Sequence, residues 1–447
     1  MKIFNSPPSL CDTSPLCRME ELGWNFNIKM EIKVHGTLSG CVTPPPSKSQ
    51  AHRLLICAAL GCEPCCIVCN AVNDDIMATM RSLNALGADI TYSSGVFNVT
   101  PVKVVKGGTL DCGESGSTLR FLVSVAAVLG ADATFVGAGK LPQRPMGDLL
   151  DALVQHGVSF TRHGSDELPL TCNGTLCGGK YTLPGNISSQ YLTGLLFALP
   201  LAAEDSEIEV VNGLTSASYV EMTLDALRIA GIEVEQCGNI YRIKGGQQYR
   251  MPQRVVVEGD WSSAAFWVVA GVTGKQPITV CGMNNDSLQG DSYIVDYLRL
   301  MGAFIECNGN GVVAMPSHLF GAELDCTDTP DLVPVLAVAA AVAQGTTLFT
   351  GVGRLRYKES DRLAAVRDLL AAFGISSQIG EDTFTVFGGE PVATTAVDSY
   401  NDHRIAMSAA VMSVLASGVT TIKQHTCVAK SYPSFFDDFA MLGGDVE

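Results

Sequence analysis

Positive charge is scarce in this chain of 447 residues: 29 lysines and arginines stand against 45 aspartates and glutamates, a formal net charge of -16. So acidic a chain is not expected to bind nucleic acid, because that binding rests on cations neutralising phosphates. Small anionic substrates stay open, since their capture depends on local charge. Long apolar runs are missing as well; none approaches the ~18 residues of a membrane span. The start of the chain also lacks the basic segment and apolar stretch of a secretory signal. No membrane contact and a cytoplasmic location are therefore expected. Charged residues make up only 17% of the chain and hydrophobic ones 47%, the composition of a well-buried globular enzyme. At this length two or three domains are expected, because single cores stop growing near ~250–300 residues.

Cysteine is not scarce. The sixteen cysteines are scattered and sit largely in apolar stretches, so they read as reduced, buried thiols rather than a disulfide framework. One cluster, Cys57, Cys62, Cys65, Cys66 and Cys69, contains two Cys-x-x-Cys pairs. Zinc or an iron–sulfur group would need four ligands converging from a defined turn, and here they would fall on a helix end and the strand after it. Buried thiols are the expected reading, and no metal is assigned.

A repeat organises the rest. Six times an amphipathic segment ends in an apolar residue or histidine followed by glycine, at Gly87, Gly157, Gly231, Gly302, Gly374 and Gly443, with intervals of 70, 74, 71, 72 and 69 residues. Glycine is expected there because a helix commonly ends in a left-handed residue. Leu363, Val366, Leu370 and Phe373 show the helical spacing within one such segment. Each repeat also contains an earlier helix opened by polar residues: Ser47 to Ser49, Gly116 to Thr118, Ser188 to Gln190, Ser262 and Ser263, Asp331, and Asp402 with His403. Strand-rich runs at 134–136, 207–211 and 346–350 lie between. Residues 1–29, with Pro7, Pro8 and Pro15 and no clear period, read as a poorly packed extension.

The polar openings have two readings. As helix caps alone they would be followed by acids rather than bases. Lys48, Arg53, Arg120 and Arg404 instead sit at or near the first turns, and a helix N-terminus with an added cation binds anions. The segment Arg354 to Arg362 packs four cations and two carboxylates into nine residues; it reads either as an exposed charge run or as part of a site. Arg144 between prolines and Lys430 near the C-terminus add further cations.

Taken in order, Ser47-Lys48-Ser49 after Pro46, Gly116 to Arg120, Arg144-Pro145, Ser188-Ser189-Gln190, Lys358 to Arg362 and Asp402-His403-Arg404 resemble the signature of 5-enolpyruvylshikimate-3-phosphate synthases. The resemblance runs from about Met30 to Glu447. It implies an α/β fold of two similar domains, each an inside-out α/β barrel of three βαβαββ repeats. Residues 30–46 and 258–447 would form one domain and 47–257 the other. It also implies transfer of the enolpyruvyl group of phosphoenolpyruvate to the 5-hydroxyl of shikimate 3-phosphate, with release of phosphate, in aromatic amino acid biosynthesis. No cofactor is implied, the partners are the two small substrates, and a monomer is expected.

Carried over motif by motif, Lys48, Asp331 and Glu359 would be catalytic. Lys48, Ser49, Arg53, Ser188, Ser189, Gln190, Ser216, Asp331 and Lys358 would hold shikimate 3-phosphate, with Tyr219 near the ring. Lys48, Gly116, Arg144, Gln190, Arg362, Arg404 and Lys430 would surround phosphoenolpyruvate. Gly116 would leave room for glyphosate beside that ligand. Glu114 and Arg354 depart from the common pattern, where Asn, and Asn or His, are frequent; neither is carried over as a contact. The related UDP-N-acetylglucosamine enolpyruvyl transferases bear a loop cysteine before the Arg-Pro step, and 137–145 contains none. A non-catalytic phosphate-binding protein of the same fold is the remaining alternative.

Overall fold

A computed structural model of the chain describes residues 31–309, 311–394 and 396–447; the expected N-terminal extension lies outside them. Twelve α-helices occur among the described residues, two per repeat. In the first half they are α1 (Lys48–Ala59) and α2 (Asp74–Leu86), α3 (Gly116–Leu129) and α4 (Gly147–Val154), α5 (Ser189–Ala198) and α6 (Ala217–Ile229). In the second half they are α7 (Trp261–Thr273) and α8 (Ile294–Leu300), α9 (Val333–Ala341) and α10 (Arg362–Ala372), α11 (His403–Ser413) and α12 (Phe435–Met441). All six repeat glycines have positive φ, between 72° and 114°, conformations in which a Cβ is strained. The expected helix-to-strand step is therefore made six times by the same backbone device.

Six four-stranded sheets accompany the helix pairs. In each, one edge strand runs parallel to its neighbour and the remaining pairings are antiparallel, as where Gly179–Pro184 lies parallel to Ser206–Val211 and Ile240–Ile243 returns beside it. Three strands come from far away in the chain. Glu31–Gly36 pairs with Thr420–Lys423 and Gly444–Val446, completing the last sheet. Gly40–Val42 pairs with Ile278–Cys281, and Arg254–Val256 with Cys65–Val68.

Two hydrophobic cores result. One collects side chains from Ala51 to Val257; the other joins Val34, Leu38 and Val42 to side chains from Trp261 to Leu442. The two segments linking the cores run side by side, with Ser47 N donating to Glu258 O at 2.7 Å and Asp260 N to Pro45 O at 2.9 Å. The first helix of each repeat is enclosed: every residue of α9 and α11 is buried, which explains why these segments read as small and apolar all round.

The cysteines depart from expectation in two ways: Cys62, Cys177, Cys237 and Cys307 are exposed rather than buried, and one pair is oxidised. Cys41 and Cys281, on neighbouring strands, form a disulfide, a pairing that sequence spacing over 240 residues gives no means of reading. In the Cys-x-x-Cys segment, Cys65 and Cys69 are buried, Cys66 is half-buried and Cys62 exposed. Among the described residues no group of three or more His, Cys, Asp and Glu is placed to hold a metal. No helix among them is long and apolar enough to cross a membrane.

Candidate active site

The first helices of all six repeats begin at one cleft between the two cores. Ser47, Ser115, Ser188, Asp260 and Asp402 cap α1, α3, α5, α7 and α11, each accepting a backbone N–H from two or three residues further on. In the fourth repeat the helix opens at Trp261, earlier than the Ser262-Ser263 pair suggests. In the fifth, Asp331 sits in a 3-10 turn, Pro330–Leu332, before α9, and caps nothing. Six helix N-termini converging on one space supply partial positive charge without any side chain.

The structure brings most of the expected residues to the wall of this cleft: Lys48, Ser49 and Arg53 from α1; Gly116 from α3; Arg144; Ser188, Ser189 and Gln190 at α5; Ser216 and Tyr219 at α6. Asp331, Lys358, Glu359 and Arg404 face them from the other core. Arg362 and Lys430 are placed just behind that wall. Residues that sequence reasoning assigned no role also line it, notably Asp75, Arg120, Asp260, Ser262 and Arg354. Arg120, Ser262 and Arg354 stood within segments singled out in the sequence, without a ligand assigned to them; Asp75 and Asp260 carry no local signal.

On the second core's side the charges form one connected network. Arg362, 1% exposed, donates through Nη1 to Asp331 at 2.7 Å, through Nη2 to Glu359 at 2.6 Å and through Nε to Asp402 at 2.8 Å. Arg404 Nη2 reaches Asp331 at 2.9 Å, and Lys358 Nζ lies 3.4 Å from the same carboxylate. Burial is the largest influence on Asp331 and works to raise its pKa. Arg404, Lys358, Arg362 and Lys48 together outweigh it, so the carboxyl is held well below the usual range. Glu359 follows the same logic, with burial opposed by Arg362, Arg144, His403 and Lys358. Both are ionised carboxylates in the free site. Lys358 is the counterpart: burial pushes its ammonium down, against the pull of Asp331, to about 8.

On the first core's side Lys48 Nζ donates to Asp75 Oδ2 at 2.9 Å. Burial works to lower its pKa, yet Asp75 and Glu359 leave it raised and the ammonium charged. Arg53 donates to Thr223 Oγ1, Ser49 O and Tyr219 O, so its guanidinium is tied to both α1 and α6. Gln190 is held by Arg120 Nη1 at 2.7 Å and itself donates to Ser117 Oγ at 3.0 Å. Ser216 has φ of 58°, an uncommon left-handed conformation for serine that marks a constrained turn. A Cβ on Gly116 would come 2.7 Å from Arg144 Nη1, so the space above Gly116 is bounded by that guanidinium.

Ionised carboxylates set among cations and helix N-termini, enclosed between two α/β halves, define a site suited to small, multiply anionic ligands and to proton transfer. The comparisons narrow that description. A family model for EPSP synthase (3-phosphoshikimate 1-carboxyvinyltransferase) matches residues 32–439. A 3-phosphoshikimate 1-carboxyvinyltransferase of Clostridium kluyveri is 43% identical over 415 residues, covering 92% of this chain and 96% of the relative. The EPSP synthase structure from Acinetobacter baumannii superposes with a TM-score of 0.79 at 25% identity, covering 93% of this chain and 99% of that one. The enolpyruvyl transferase NikO from Streptomyces tendae shares the fold, with a TM-score of 0.76 at 20% identity over 93% and 98% of the two chains. The chain belongs to the EPSP synthase family, and its fold is the expected pair of inside-out α/β domains built from six repeats.

Proposed function

We propose that the chain is a 3-phosphoshikimate 1-carboxyvinyltransferase, transferring the enolpyruvyl group of phosphoenolpyruvate to the 5-hydroxyl of shikimate 3-phosphate. The observation that carries this reading is the Asp331 and Glu359 pair, ionised and bound by one buried arginine, facing Lys48 across the cleft. Residues 47–257 form one domain and residues 30–46 with 258–447 the other, and the cleft between them closes on the substrates.

Addition joins the 5-oxygen to C2 of phosphoenolpyruvate while the hydroxyl proton leaves and a proton arrives at the C3 methylene. Elimination removes a C3 proton and expels phosphate. An ionised Asp331 takes the hydroxyl proton. Its low pKa and that of Glu359 are set by cations. Substrate phosphate and carboxylate groups neutralise those cations, raising both carboxyls until one can carry a proton to and from carbon. Ser49 and Arg53 hold the shikimate carboxylate, and Ser188, Ser189, Ser216 and Lys358 its phosphate. Lys48, Arg144, Gln190, Arg404 and Lys430 engage phosphoenolpyruvate, and Arg362 orients the two carboxylates from behind. The polypeptide acts on these small molecules as a monomer in the cytoplasm.

The test is release of inorganic phosphate from phosphoenolpyruvate with and without shikimate 3-phosphate. Release only when both are present is expected, and Lys48→Met should lower kcat by about 10²–10³ with an unchanged circular dichroism spectrum. Binding of shikimate 3-phosphate with no phosphate release would leave the non-catalytic alternative standing.

A further inference from the structure

Glu114, which the sequence reading left without a contact, has a side chain that spans the two halves. It leaves the capping loop of α3 and meets Lys430, which follows α11 in the other half: Lys430 Nζ donates to Glu114 Oε2 at 2.9 Å. The same ammonium donates at 2.8 Å to the carbonyl of Asn401, a residue with φ of 55° whose turn aims that oxygen inward. Lys430 is thus gripped from both halves, and its side chain is only 10% exposed. Glu114 is fixed from behind. Asp111 Oδ1 accepts the Gly113 N–H at 2.9 Å, holding the loop. Gly139 packs so closely that a Cβ there would lie 2.4 Å from Glu114 Oε2. Next door, Asn73 Nδ2 donates to Ser431 O at 3.3 Å, a second bond between the halves.

We propose that Glu114 is a positioning and specificity residue of the phosphoenolpyruvate site: it keeps Lys430 paired just behind the cleft wall in the free protein and lowers the site's affinity for anions. This rests on the function proposed above. A bound carboxylate occupies one of the three donor directions of an ammonium and cancels part of its charge. An arriving phosphate or carboxylate must therefore compete with Glu114 for Lys430. With a neutral side chain there, that competition would lose its charge.

The experiment is steady-state kinetics of Glu114→Gln at saturating shikimate 3-phosphate, alone and combined with Lys430→Met. Glutamine keeps an oxygen that can accept from Lys430 and removes the charge. The KM for phosphoenolpyruvate should fall roughly two- to fivefold, the range of one partly exposed ion pair, with the change in KM rather than kcat. In the Lys430→Met background the same substitution should change nothing. An unchanged or raised KM in the first case, or an equal fall in both, overturns the proposal. If the parent protein released no phosphate, the function reading would fail first, and calorimetric binding of inorganic phosphate would judge the competition separately: Glu114→Gln should bind phosphate roughly two- to fivefold more tightly than the parent, and equal affinity would sink the proposal.

Discussion

At the scale of single residues the site works by setting charges against one another, and Lys358 shows the consequence for pH. Burial drives its ammonium down to about 8 although Asp331 pulls the other way. Below that value Lys358 is charged and attracts a phosphate; above it the attraction is lost. We therefore expect kcat/KM for shikimate 3-phosphate to fall as pH rises through about 8. Lys358→Arg, whose side chain stays protonated, should lack this inflection. The same shift bears on stability with the opposite sign: between about 8 and the ordinary lysine value near ~10.4 the unfolded chain binds the extra proton, so this group adds stability as pH rises there. A wild-type profile flat from pH 7 to about 9 would remove Lys358 from the phosphate's surroundings.

Lys48, Glu359 and Arg404 were legible because each lies in a compact motif. Asp75 was not, since what defines it is distance in sequence: it meets a lysine 27 residues away. Arg354 lay in a visible charge run, but its contact with a threonine 139 residues away was not legible.

At the scale of elements, the repeat was readable because two local rules recur six times, a polar opening and a left-handed glycine. What no local rule encodes is how closely the helices approach. Gly194, in the middle of α5, is such a case: a Cβ there would lie 2.5 Å from the Arg120 carbonyl of α3 and 3.0 Å from Ser124 Oγ. The obstacle is helix backbone, which cannot rotate aside. Gly194→Ala should push α5 away from α3 and cost about 1–3 kcal/mol, read as a lower urea midpoint. Because Gln190 and Arg120 are hydrogen-bonded across the same contact, activity should fall with it. A midpoint equal to the parent's would show that the two helices have slack. The placement of residues 30–46 with the second half was implied by the family resemblance, but the pairing of Arg254–Val256 was not legible: it reads as a short ordinary strand, and its parallel partner Cys65–Val68 lies nearly 190 residues earlier.

At the scale of the whole molecule, two cores are joined by two adjacent backbone segments and touch across the cleft through a few polar contacts. Arg354 Nη1 donates to Thr215 Oγ1 at 3.0 Å, while Nη2 reaches the Thr327 carbonyl of its own half. Ala217 N donates to Asp328 at 2.9 Å. These contacts flank Ser216 and Lys358, the groups proposed to hold the phosphate of shikimate 3-phosphate. Polar contacts of this kind are typical of interfaces that open and close, so the free protein should sample open arrangements. A doubly charged phosphate bound by both halves adds the missing attraction, and shikimate 3-phosphate should reduce the radius of gyration measured by small-angle scattering. Arg354 contributes to closure by reaching from the second half to Thr215 in the first, and Arg354→Gln removes that charged hydrogen bond, worth about 1–2 kcal/mol. That variant should bind shikimate 3-phosphate roughly tenfold more weakly yet reach the same compact form at saturation, because the closed state is disfavoured rather than abolished. A parent protein whose scattering does not change at saturating ligand would rule out closure, and an Arg354→Gln variant with parental affinity would show that the contact with Thr215 contributes nothing to it.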